Sequence, residues 1–63
     1  MKLVYAISDE GGVFALFETS RSTVIYCQEM WKERYEELNA PFDTLEGATA
    51  NLPIRIQHVL LEH

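Results

Sequence analysis

Few residues of this chain could take part in chemistry, and they do not form a catalytic or metal-binding pattern. His58 is the single internal histidine and Cys27 the single cysteine. A histidine at the end of an apolar strand is typical of a hydrogen-bonded core or edge residue, because a general base needs a nucleophile positioned beside it. Cys27 lies among apolar residues, which favours a buried side chain over a reactive thiolate. We therefore predict no catalytic residue and no cofactor, and expect the protein not to be an enzyme.

The only charged groups that cluster are carboxylates. Four of them gather on one side of a predicted helix: Glu29, Glu33, Glu36 and Glu37. Together with a net charge of −5, this cluster argues against direct binding of nucleic acid, whose phosphates require clustered Lys and Arg. A solvated helix face explains the cluster most simply. The alternative is that it imitates the phosphates of DNA and inhibits a DNA-handling protein, or docks on a basic partner. Helical glutamates without a converging second element rarely hold a metal, so no metal site is expected.

Two adjacent glycines, Gly11 and Gly12, could suggest a phosphate-binding loop. In such a loop the glycines lead into a helix and a Lys accompanies them. Here they follow Asp9 and Glu10 and lead directly into an apolar segment, residues 13–17. This pattern predicts a β-hairpin turn instead.

One long segment, residues 22–39, has apolar residues at helical spacing. At about 100° per residue they fall within one narrow stripe. The stripe contains Val24, Cys27, Trp31, Tyr35 and Leu38. Ser22 is the expected N-cap, with Thr19 and Ser20 as alternatives, and Asn39 is the expected end because Pro41 follows closely.

Three other segments have the composition of strands. They cover residues 2–8, 13–19 and 54–61. In the connector before the last strand, Asp43 is a candidate cap for a helical turn over residues 44–50, although Gly47 weakens that prediction. The order predicts an α+β protein of ββαβ architecture: a three-stranded antiparallel sheet, in order 2-1-3, with one amphipathic helix packed on one face.

The first two strands are apolar on both faces, whereas one helix can cover only one face of the sheet. The residues expected to remain uncovered are Val4, Ala6, Phe14 and Leu16, or else the opposite set with Val13 and Phe17. Exposed apolar surface of this kind indicates association, so we expect a homodimer formed through the uncovered sheet face or by strand pairing at a sheet edge. Ile25 and Tyr26, which lie off the helix stripe, form either an association patch or a contact with the connector.

The length of 63 residues allows one small domain, expected over residues 1–60, and residues 61–63 are expected to be an expression-tag remnant. A single cysteine cannot form an internal disulfide, which suits a reducing cytoplasm. We expect no membrane association, since no apolar run is long enough to span a bilayer and the N-terminal residues lack a signal-peptide pattern.

The segment FALFETSRSTVIYCQEMW resembles small uncharacterised bacterial and prophage proteins in which a hairpin ends in a Phe-x-Thr step, a helix follows and a final strand closes the domain. The matching residues are Phe17 and Thr19, the helix from Ser20 or Ser22, and residues 54–60. These proteins commonly carry Ala on the first helical turn, where this chain has Thr23 or Val24. The resemblance implies a ββαβ fold and brings no activity with it. We therefore expect a small soluble protein-interaction domain that self-associates, and regard a small-ligand-binding module as the rival.

Overall fold

The computed structural model describes residues 1–62 and contains one three-stranded antiparallel sheet with two helices. The strands are β1 (Lys2–Asp9), β2 (Gly12–Phe17) and β3 (Arg55–Leu61), and their spatial order is β2-β1-β3. The predicted α+β class, antiparallel sheet and central first strand are confirmed. Leu61, assigned to the tag remnant, pairs with Lys2 at the end of β3, and His63 lies outside the described residues.

The hairpin between β1 and β2 turns at the two glycines, as predicted. The Asp9 carboxylate accepts a hydrogen bond of 2.8 Å from the backbone N–H of Gly11. Gly12 has a φ of +112°, a value that side-chain-bearing residues rarely adopt. The second glycine is therefore required by the backbone conformation of the turn.

Helix α1 (Ser20–Tyr35) begins and ends earlier than predicted. Thr19, one of the alternatives to Ser22, is the N-cap: its hydroxyl oxygen accepts a 3.0 Å hydrogen bond from the Ser22 N–H. At the other end Glu36 has a left-handed conformation with φ of 53°, which terminates the helix. The predicted end at Asn39 is wrong.

The early end of α1 changes its apolar stripe. Val24 and Cys27 are buried as predicted, but Tyr35 is exposed and Leu38, outside the helix, is 86% exposed. The chain turns back after Tyr35 and brings Phe42 into the core, where its ring lies 6.2 Å from that of Trp31. Phe42 thus occupies core space that Tyr35 and Leu38 were expected to fill.

A second helix, α2 (Leu45–Asn51), forms where a helical turn was predicted, so the sheet carries two helices instead of one. Thr44, not Asp43, caps it by accepting a 3.0 Å hydrogen bond from the Gly47 N–H. Gly47 is needed for packing, because a Cβ atom there would lie 2.6 Å from the Phe42 Cβ. The glycine that weakened the helix prediction therefore permits the close approach of Phe42.

The core lies between one face of the sheet and the two helices. Its fully packed members are Ile7, Cys27, Phe42, Ala48 and Leu52. Because side chains alternate along a strand, the position of Ile7 in this core places Leu3 and Tyr5 on the helix side and Val4 and Ala6 on the opposite, open face. Within residues 1–62 no helix has the length and apolar character needed to cross a membrane.

Candidate functional site

The open face of the sheet exposes less apolar surface than the sequence suggested. Val4 and Ala6, two of the four predicted interaction residues, are only 3% and 4% exposed. Both residues lie on the central strand, between β2 and β3. The Lys2 ammonium, on the same strand, donates a 2.9 Å hydrogen bond to the carboxylate of Glu18, the residue that follows β2. The large apolar side chains that this face exposes are Leu16, which is 48% exposed, and Val13.

Phe14 does not share the open face with Leu16. Ile7 pairs with Ala15 and Ser8 pairs with Val13, so Phe14 is the extra residue of a β-bulge in β2. Bulges redirect side chains, and the Phe14 ring lies 6.5 Å from the ring of Tyr26 on α1. Tyr26 also contacts Phe17, with 5.0 Å between ring centroids. The bulge thus joins Phe14 to an aromatic cluster on the helix side of the sheet.

The predicted acidic cluster is divided by the end of α1. Glu29 and Glu33 are exposed on the helix one turn apart, whereas Glu36 is the left-handed cap and Glu37 follows it. Lys32 makes an exposed 2.9 Å ion pair with Glu29, while Glu33 has no salt bridge with any residue from 1 to 62. The four carboxylates therefore do not form one continuous helical row.

One of the predicted sheet-face residues, Phe14, lies near two residues of the predicted acidic helix face, Glu29 and Glu33. A shallow depression of about 370 Å³ on the outer side of α1 is lined by Tyr26, Glu29, Met30, Glu33 and Arg34. Phe14, from the predicted sheet-face set, adjoins this depression through Tyr26. We call Phe14, Tyr26, Glu29, Met30 and Glu33 the β2–α1 surface. Its aromatic contact could not be predicted, because regular alternation placed Phe14 on the other side of the sheet.

His58 lies on the helix side of β3, in the middle of the strand and opposite Tyr5 of β1. Its ring stacks on that of Tyr5, with 4.2 Å between centroids and 3° between planes. The same two residues, with Glu46 and Thr49 of α2, border a depression of about 240 Å³. The Thr49 hydroxyl already donates a 3.0 Å hydrogen bond to the Glu46 carbonyl. The Tyr5 and His58 rings therefore stand face to face beside this depression, and among residues 1–62 the nearby Thr49 hydroxyl is bonded to the Glu46 carbonyl rather than to the imidazole.

Cys27 is fully buried, and burial raises the pKa of its thiol. A raised pKa leaves less of the reactive thiolate at neutral pH, so this side chain is a packing residue, as predicted. Trp31 is likewise packed, between the rings of Tyr35 and Phe42. Its indole N–H is buried and has no hydrogen-bond partner in the described part of the chain.

Among residues 1–62 no group of three or more His, Cys, Asp or Glu side chains is arranged to hold a metal ion. Comparison with models of known protein families gives no match, and comparisons with curated proteins and with solved structures give none either. The resemblance to small bacterial and prophage proteins stays a prediction.

Proposed function

We propose that the protein is a small non-enzymatic protein-interaction domain that self-associates. The observation that carries this proposal is the amount of large apolar surface left in water. The exposed large apolar residues are Met1, Leu3, Val13, Phe14, Leu16, Ile25, Tyr26, Tyr35, Leu38 and Leu60. A domain of this size gains only a few kcal/mol, roughly 3 to 5, from its own core, so covering such residues with a partner would stabilise it.

Six of these ten exposed residues belong to β2 or α1, and two of the six, Phe14 and Tyr26, are members of the β2–α1 surface. Tyr26 and Phe14 supply aromatic area, which is the chemistry enriched at the centres of protein interfaces. Glu29 and Glu33 border that area and give a partner polar groups at the rim, where charge affects orientation more than affinity. This combination supports contact with another protein. The unpaired, buried Cys27 is compatible with a reducing compartment such as the cytoplasm.

Self-association is tested by sedimentation equilibrium of the wild-type protein from micromolar to submillimolar concentration. We expect the average mass to rise with concentration from 7.3 kDa towards twice that value. A constant mass of one chain across the whole range would contradict self-association.

Binding to another protein is tested by affinity capture from the native host with surface variants. We expect a captured protein to be retained by Leu16→Ser, on the open face, and lost with Tyr26→Ser and Phe14→Ser. All three residues are exposed, so the variants are matched in the kind of surface they change. A captured protein that all three variants retain equally would show that the β2–α1 surface is not used.

A further inference from the structure

The outer edge of β3 is regular and unprotected. β3 pairs with β1 residue by residue from Leu61 opposite Lys2 to Arg55 opposite Ser8, without a register shift. It is the last strand in the order β2-β1-β3, so its other edge has no strand partner among residues 1–62. Edge strands are usually protected by proline, bulges or inward-facing charges. β3 contains neither proline nor bulge, and its one charged residue is Arg55 at the first position.

We propose that β3 pairs antiparallel with β3 of a second copy, so that two three-stranded sheets join into one sheet of six strands. This inference rests on the self-association proposed above and assigns the surface responsible for it. A two-fold axis perpendicular to the sheet relates the copies, which leaves all four helices on the same face. Residues that face each other across two paired strands point to the same side of the sheet. Because this two-fold axis keeps each side chain on its own side, the axis must pass through a pair in which one residue of β3 faces the same residue of the second copy.

Full overlap of the seven-residue strand identifies that residue as His58, the middle residue of Arg55–Leu61. In this register the exposed Leu60 faces the half-buried Ile56 of the second copy, and Gln57 faces Val59. Arg55 faces Leu61, so no two like charges oppose each other. Pairing over seven residues supplies about six to eight main-chain hydrogen bonds.

The open face is a weaker candidate for the same contact. Its central residues, Val4 and Ala6, have almost no surface left to bury, and the Lys2–Glu18 ion pair lies beside them. On the helix side, by contrast, Leu3 and Leu60 pair with each other and are both exposed. A second copy of β3 extends the sheet next to Leu60 and covers part of this apolar end. The second copy is therefore better accommodated at the edge than on the face.

The symmetry gives a sharp test at His58, whose side chain is exposed. We expect His58→Lys and His58→Glu each to weaken self-association about fivefold, because like charges directly opposite in a sheet repel. An equimolar mixture of the two variants places opposite charges on the axis and is expected to associate more tightly than either variant alone. Both signs are needed, since Glu46 of the same protomer borders the His58 depression and affects one charge differently from the other.

Two controls separate this interface from others. Leu16→Asp, on the open face, is expected to leave self-association unchanged. In the proposed dimer the two Cα atoms of residue 58 lie about 5 Å apart, so we expect His58→Cys to form a disulfide between the copies under glutathione oxidation. The two Cα atoms of residue 55 lie roughly 20 Å apart, so we expect Arg55→Cys to form none. The β3 interface is overturned, while the proposed function stands, if the wild-type protein self-associates but His58→Lys and His58→Glu do not weaken the association. The same holds if Leu16→Asp abolishes it. A wild-type chain that stays monomeric overturns both.

Discussion

The two outer strands of the sheet differ in regularity and in the helix that lies beside each. β2 loses its pairing register at the bulge containing Phe14, whereas β3 pairs with β1 without interruption. β2 packs with α1, whose Tyr26 meets the bulged Phe14, and β3 packs with the shorter α2. A bulged edge disfavours addition of another strand, and a regular edge permits it. One small sheet thus exposes redirected side chains at one edge and a regular row of backbone groups at the other.

The largest expected effect concerns the packing of α2, the helix that lies beside β3. In Gly47→Ala the new Cβ would lie 2.6 Å from the Cβ of the buried Phe42, so either the α2 backbone or Phe42 must move. We expect a loss of about 1 to 3 kcal/mol in the free energy of unfolding, typical of overpacking. Urea denaturation followed by Trp31 fluorescence measures this loss.

The matched control is Thr49→Ala, an exposed position in the same helix, for which we expect a change within about 0.5 kcal/mol. Equal stability of the Gly47→Ala and wild-type proteins would contradict the close packing of α2 on Phe42. It would also weaken the contrast between the helices beside the two outer strands, because the contact of α2 with Phe42 would no longer fix α2 beside β3.

The next effect tests whether the bulge joins β2 to α1. A double-mutant cycle of Phe14→Ala and Tyr26→Ala is expected to give a coupling of about 0.5 to 1 kcal/mol in the free energy of unfolding, because the two rings interact. The same cycle with Leu16→Ala in place of Phe14→Ala is expected to give none, since Leu16 faces the open side. Coupling of Leu16 with Tyr26, or its absence for Phe14, would show that the edge strand is not bulged as described.

The parts of the fold that could be predicted from sequence are those set by local patterns. The Gly11–Gly12 turn, the apolar strands and the burial of Cys27 follow from turn chemistry and periodicity, and the strand order follows from connection rules. The position of Phe14 could not be predicted, because a bulge reverses side-chain alternation and leaves no distinct pattern in the residues. The end of α1 cannot be predicted from the sequence because Tyr35 and Leu38 continue the apolar stripe, and only the tertiary packing of Phe42 fills the core in their place.

The smallest effect concerns the carboxylates on the β2 side. Glu29 and Glu33 are four residues apart within α1, where like charges destabilise a helix, whereas Glu37 lies beyond its end at Tyr35. We expect Glu33→Gln to raise the free energy of unfolding by about 0.2 to 0.5 kcal/mol at low salt, and Glu37→Gln to leave it unchanged. Thermal unfolding at low and high salt measures the difference, since salt screens exposed charges. Equal gains from the two substitutions would mean that α1 continues past Glu36, and that the carboxylates form one helical row after all.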